Sequence, residues 1–575
     1  MFRFFLLVFL ALAPPVFSQE TIIRQVYDPV TDTHVEVLAL FTKPSPGGYF
    51  PVRVKVANNL TSASTIRLDF ESNCPYNDEL RTTSSFKLSA AAGKTVVRDL
   101  MVPLSPASDS DSSIHVNATL SGSLGQASNS IRSSRERSQP ASLLSDTLFT
   151  PNASTLDSEI NTKLGGSRSG SVEFAAKFDP KQLPDDWLAF SGYDDVIMTD
   201  TDWSNVPSSA TNAILSWVRL GGQLIIYHSS SSSPTAMGLP TEAGFGRIST
   251  PALTTGAALA SEMVGSVMGN PTKPRQASLN YDYQSSWPLR TLFGDQAFHQ
   301  TFFVIVMICF GILVGPVNLF VFAKAGKRHR LFITTPVIAL AASLILIGLI
   351  ITLDGFGGSG IRRVLMEVRP DDGVNAAYIH QEQFSRTGVL TGAEFTMNTP
   401  SIFQPVTIAE TRLARFTGRS AAKGAFNLQP TDGKIVASGD WFQSRSEHGQ
   451  ALSAVVSTRG RIERTDAANT LVSTFEFPIE TLYYLDESQQ WYRANTIETG
   501  KRFTLTAIDS SMAIQSLTDE ANAFVKRNNE FLNVAKNRPG HFIAITSHAP
   551  GIDTHPGIRW KETHTVITGP VMNTD

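Results

Sequence analysis

Residues 302–322 read FFVIVMICFGILVGPVNLFVF, and residues 331–353 read LFITTPVIALAASLILIGLIITL. Neither run contains a Lys, Arg, Asp or Glu. At a helical rise of about 1.5 Å per residue, roughly 20 apolar residues cross a hydrocarbon core of about 30 Å, so each run predicts one membrane-spanning helix. Only the turn Lys324-Ala325-Gly326-Lys327-Arg328-His329-Arg330 separates them, and it is too short to hold a domain. The pair therefore predicts a hairpin, with nearly all the polar mass of the chain on one side of the lipid bilayer.

The N-terminus indicates which side. Arg3, the apolar stretch Phe4 to Ala13, Pro14-Pro15 and the small Ser18 read as a signal peptide over residues 1–18, so the chain from residue 19 onward is exported. Even an uncleaved signal would leave both large segments outside. Basic residues concentrate in the turn, where Lys324, Lys327, Arg328 and Arg330 favour the cytoplasmic side; Arg290, Arg362, Arg363 and Arg369 near the outer ends dilute that asymmetry. Inside the first run, Gly311 and Gly315 form a GxxxG, and Pro316 and Asn318 interrupt the aliphatic pattern. Small residues and a lone Asn predict packing of one helix on the other within the hairpin, with dimerisation or a transport path as alternatives. Two helices without a charged residue are too few to line a pore.

Composition narrows the class. With 575 residues, 42% hydrophobic and 17% charged, the chain has room for three to four folded domains. A net charge of -3 gives no basic face for nucleic acid. The two cysteines, Cys74 in a soluble stretch and Cys309 in the first apolar run, predict neither a disulfide nor a thiolate zinc site. No motif calls for a cofactor.

The fold class expected is a multidomain membrane protein with four parts. Residues 19–125 alternate apolar and polar positions, as in Thr65-Ile66-Arg67-Leu68-Asp69-Phe70, and predict an antiparallel β-sandwich. A Ser-rich stretch, 126–140, reads as a linker. Residues 141–250 change period: a buried strand Asp195 to Asp200, a helix Ser208 to Leu220, a Gly221-Gly222 stop and a strand Gln223 to His228 make a βαβ unit of flavodoxin-like type. A connecting segment (251–300) and the hairpin (301–354) follow. Residues 360–575 predict a mainly-β domain with one amphipathic helix near 517–536.

Chemistry-bearing residues are sparse. Asp200 and Asp202 close a buried strand, where α/β folds bind ligands, and equally where carboxylates cap turns. His228 and Ser229 are neighbours, but adjacent strand residues point to opposite faces and so do not form a nucleophile and base. His548, His555 and His564 cluster near the C-terminus without the spacing of a metal motif; turn or surface histidines explain them as well.

Two stretches carry a resemblance. Tyr193-Asp194-Asp195-Val196-Ile197-Met198-Thr199-Asp200 followed by Ala213 to His228 resembles the class I glutamine amidotransferase-like fold, in its trehalose-utilisation-like branch. That family's active members place a cysteine nucleophile after a central strand, and residues 141–250 contain none. Gly315-Pro316-Val317-Asn318-Leu319-Phe320, the basic turn, Pro336 and Val364 to Val368 resemble a family of uncharacterised bacterial membrane proteins that join such an exported domain, two helices and a C-terminal β domain. The resemblance implies a bacterial inner-membrane protein with both soluble segments on the periplasmic side. It leaves three functional expectations: a non-catalytic envelope protein that binds an envelope partner, as an accessory of transport or surface assembly would; an exported hydrolase or sugar-processing enzyme; and a glycan-binding surface protein.

Overall fold

The computed structural model describes residues 20–573 except 75–76, 107–112, 134–138, 166–171, 229–236, 241, 270–274, 276–277, 280–281, 284–286, 295–299, 371–374, 409–423, 432 and 467–468. The signal-peptide reading of residues 1–18 lies outside the described residues.

The N-terminal alternation folds as a two-sheet sandwich. Strands Glu20–Asp28, Thr33–Ala39, Tyr49–Asn58 and Lys94–Pro103 form one antiparallel sheet. Its inward set, including Val35, Val37, Val52 and Val54, packs on Ile66, Leu68, Val116 and Leu120 of the second sheet. That second sheet contains Ser64–Cys74, Asn77–Ala90 and Ile114–Gly122, and also Ala127–Ser133, a strand within the stretch expected to be linker. As an edge strand it buries few side chains, Ile131 and Ser133 among them, so a Ser/Asn-rich sequence suffices. The sheet does not end with the N-terminal domain. Gly424–Thr431 adds in parallel to Asn77–Ala90, and Lys434–Gly439 and Phe395–Met397 extend it to seven strands.

The α/β unit has five parallel strands, Ser142–Ser145, Ala176–Phe178, Asp195–Thr199, Gln223–Tyr227 and Arg247–Ser249. Their spatial order is 2-1-3-4-5, the doubly wound order of flavodoxin-like folds. Helices Asp146–Lys163 and Gly256–Met268 cover one face, so the unit continues past residue 250 into the stretch read as a connection. Helix Ser208–Arg219 covers the other, where Phe41 and Tyr49 of the sandwich join the same core. Gly221 sits at φ +105°, and a Cβ on Gly222 would fall 2.4 Å from the Trp217 ring, so this turn requires both glycines.

A twelve-strand sheet organises the C-terminal part, with Gly358–Arg369 between Ala376–Thr387 and Ile558–Met572 at its centre. The single helix expected near 517–536 is two, Ser510–Asn522 and Lys526–Ala535. The break frees the Val525 N–H to donate to Glu382 Oε1 at 3.1 Å, a bond that a continuous helix would have used in its own ladder.

The apolar runs form two adjacent helices, each long and apolar enough to cross a membrane. The first is α-helical over Gln300–Ile312 and widens to π spacing over Leu313–Phe322, around Pro316, which has no N–H to give the α ladder. Asn318 is buried between the helices, donating Nδ2 to Thr335 Oγ1 at 2.9 Å and accepting from Thr334 Oγ1 at 2.6 Å. A Cβ on Gly311 or Gly315 would meet nothing within 4 Å, whereas the side-chain bonds of Asn318 bridge the two helices.

Candidate functional site

Doubly wound sheets bind ligands outside the carboxyl ends of their strands, at the point where strand order reverses. Here that crevice lies between the ends of Ser142–Ser145 and Asp195–Thr199. Asp202 fills it. Its Oδ2 accepts from Ser145 Oγ at 2.7 Å and from the Thr199 N–H at 3.1 Å, while Oδ1 accepts from Thr147 Oγ1 at 2.7 Å. Thr199 Oγ1 in turn accepts the Asp202 N–H, closing a capping box on helix Asp200–Asn205. Asp200 turns its Oδ1 to the Thr201 N–H. Because Thr199 pairs in register with Tyr227, Asp200 and His228 leave adjacent strand ends side by side. The His228 backbone bridges to the 251–253 segment, and Ser229 lies outside the described residues.

The C-terminal histidines disperse. His564 meets Glu520 Oε2 at 2.7 Å, and exposed His548 stands 3.9 Å from Glu480. His555 Nε2 lies 2.9 Å from the Gly392 carbonyl, with its ring against Phe395 and Phe442. Among the described residues, no three His, Cys, Asp or Glu side chains converge as metal ligands.

The densest buried polar chemistry lies at the opposite, amino edge of the α/β sheet, where all three soluble parts meet around a cavity of about 80 Å3. The Arg275 guanidinium donates to the Pro46 carbonyl at 2.8 Å and to Ser45 Oγ at 2.7 Å, and its backbone N–H donates to Asp194 Oδ1. Burial lowers its pKa to about 10, which leaves it charged at neutral pH. Tyr49 spans the junction: its N–H donates to Ser191 Oγ, its hydroxyl to the Ser401 carbonyl. Across the cavity, burial, with the Arg527 charge second, holds His380 down to about 3, so its ring is neutral. Glu382 accepts from Trp287 Nε1, Asn528 Nδ2 and the Val525 N–H. Burial still prevails over these donors and pushes its carboxyl up to about 7. Sequence reasoning missed this cluster. The available signal was the run His380-Gln381-Glu382-Gln383, four polar residues in succession in a strand that is buried on both faces.

A second concavity, of about 940 Å3, opens on the C-terminal sheet. Its lining includes Met366, Ala377, Ile379 and Val456 of the central strands, with Phe475 and Phe477 and the polar Asn398, Thr399, Arg459 and Glu476.

No family model matches this sequence, and no curated protein sequence matches it either. Among solved structures, a cycloisomaltooligosaccharide glucanotransferase of Paenibacillus sp. is similar at 15% identity over 33% of this chain and 27% of its own, with a TM-score of 0.15. Two structures of β-glucuronidases of Bacteroides uniformis, one a calcium-binding mutant of β-glucuronidase 2, show 10% identity over 36% and 40% of this chain, with TM-scores of 0.15 and 0.14. The chain spans about a quarter of the length of each, and overlaps this slight bear on neither fold nor function.

Proposed function

We propose that this chain is an inner-membrane protein of the bacterial envelope that works by binding a protein partner, as an accessory of a transport or surface-assembly system would, and not by catalysis. In this reading its α/β unit is amidotransferase-like in fold without the chemistry, and the chain belongs with the bacterial membrane proteins that its motifs resemble. The observation that carries the reading is Asp202. The position where a doubly wound sheet would hold a ligand is taken up by a carboxylate whose two oxygens accept three internal hydrogen bonds. The large groove favours a protein occupant over a glycan, because its aromatic walls are Phe475 and Phe477 and its described lining has no Trp or Tyr to stack on a sugar face.

The test is a photo-crosslinking amino acid placed at Phe477 in living cells. A single adduct of defined mass is expected there and none from the same probe at Lys94 on the sandwich. The adduct should persist when Asp200→Asn and His228→Gln are introduced together. Ammonia released from glutamine by the purified chain, or no adduct from any groove position, would overturn the reading.

A further inference from the structure

Two backbone irregularities deliver basic side chains to one end of the C-terminal sheet, the end where both apolar helices meet it. The first is a β-bulge. Strand Ile558–Met572 pairs with Gly358–Arg369 as Gly360↔Trp560 and then Ile361↔Glu562, which leaves Lys561 as the extra residue. Its Nζ lies 5.3 Å from the centre of the Phe293 ring, in the short helix Pro288–Phe293 that precedes the first long helix. The second is Arg445, held at φ +58° by its N–H bond to the Gly388 carbonyl. Gly388 is bonded in turn to Gly357, three residues after the second long helix ends. The Arg445 guanidinium stands 5.6 Å from the Phe303 ring in the first turn of the first long helix. Bulges re-aim side chains, and a left-handed backbone likewise changes the direction in which a side chain leaves the chain.

The surrounding surface mixes charge and apolarity in the manner of a membrane interface. Arg445, Arg559 and Lys561 are exposed, and the exposed acidic Glu562 follows Lys561. Leu292 and Phe356, beside the points where the chain enters and leaves the helices, are 54% and 68% exposed. The arginines nearest in sequence to the second helix do not contribute: Arg362 donates to Asp553 and Thr563, Arg363 lies over Phe524, and Arg369 donates to Glu242.

We propose that this end of the β domain is a docking surface for anionic phospholipid headgroups of the outer leaflet, with Arg445, Arg559 and Lys561 on the phosphates and Leu292 and Phe356 at the acyl boundary. The proposal rests on the membrane reading given above. It concerns the exported end of the hairpin, opposite the basic turn, and makes the lipid a structural partner of the soluble domain.

Amine-reactive labelling of Lys561, read by peptide mass spectrometry on the full chain in nanodiscs, tests it without any substitution. Replacing phosphatidylcholine by an equal mixture with phosphatidylglycerol should slow labelling of Lys561 about fivefold, the equivalent of one lysine held at an anionic surface. High salt should restore the rate, and Lys94 should be unaffected throughout. Substituting Arg445→Gln and Arg559→Gln should reduce the protection of Lys561. Equal labelling in both lipids, with the chain resistant to alkaline extraction, overturns this proposal alone. Release by alkaline extraction overturns the membrane reading beneath it. Protection in native membranes that is lost in nanodiscs of either lipid would assign the surface to a protein and overturn the lipid.

Discussion

Asp202 and Glu382 are both buried carboxylates, and each accepts three internal hydrogen bonds. Asp202 → Ala removes the acceptor of two hydroxyls and one amide and should destabilise the chain by about 2–3 kcal/mol, from the lost cap and the donors left without partners. An unchanged melting temperature would show that the carboxylate is held for something other than structure. Glu382 has its folded pKa raised to about 7, above the ordinary 4.5. The protonated form is therefore the one favoured by folding: its contribution is fully present below pH 4.5 and is lost as pH rises through 7. Stability should fall by a few kcal/mol from pH 4.5 to pH 8 on account of this group, and Glu382→Gln should flatten that part of the curve measured by chemical denaturation. Only one of the two roles was legible in the sequence. Asp202 reaches its cap partner three residues away, a distance that local pattern reading covers. Glu382 depends on Trp287, Val525 and Asn528, which lie 95, 143 and 146 positions away, and nothing local announces them.

At the level of elements, the two long helices were readable because each is an unbroken apolar run, whereas the detail of their packing was not. GxxxG suggested glycine contacts, but Gly311 and Gly315 face open space and the polar bridge from Asn318 to Thr334 and Thr335 joins the helices. Asn318→Leu should weaken hairpin association by about 1 kcal/mol, seen as faster proteolysis in detergent, while Gly315→Ala should be tolerated. Replacing Lys324, Lys327, Arg328 and Arg330 together by Gln should impair insertion, since each charge is worth about 1 kcal/mol at an anionic surface. Arg362→Gln should leave protease protection of the hairpin intact and lower the stability of the β domain, because it breaks contacts to Asp553, Thr563 and Trp560. Equal loss of protected hairpin from both changes would refute this division of labour. The split of the 517–536 helix was equally hard to read locally, because the Val525 N–H it frees is taken by a carboxylate on a distant strand.

For the whole molecule, the arrangement predicts that both ends of the mature chain lie outside the cytoplasm, so reporter fusions at residues 140 and 575 should both be active outside; a cytoplasmic signal from the second would refute the topology. The β-rich stretches, the α/β unit and the two apolar helices were visible from period and composition, but the sheet shared between remote strands was not, because parallel pairing over such a distance leaves no local trace. Strands Asn77–Ala90 and Gly424–Thr431 share one sheet, and Ser85 and Gln429, bonded across the pair, are 344 positions apart. That separation sets a birth order. The first domain emerges early, and its sheet cannot be completed until the chain beyond residue 424 has been delivered. Until then one strand edge stays open, a state prone to pairing with other chains, and closure over such a distance is intrinsically slow. The two apolar helices are thus made before the sheet that spans them in sequence is closed, and a chain truncated ahead of residue 424 should aggregate where the complete one does not.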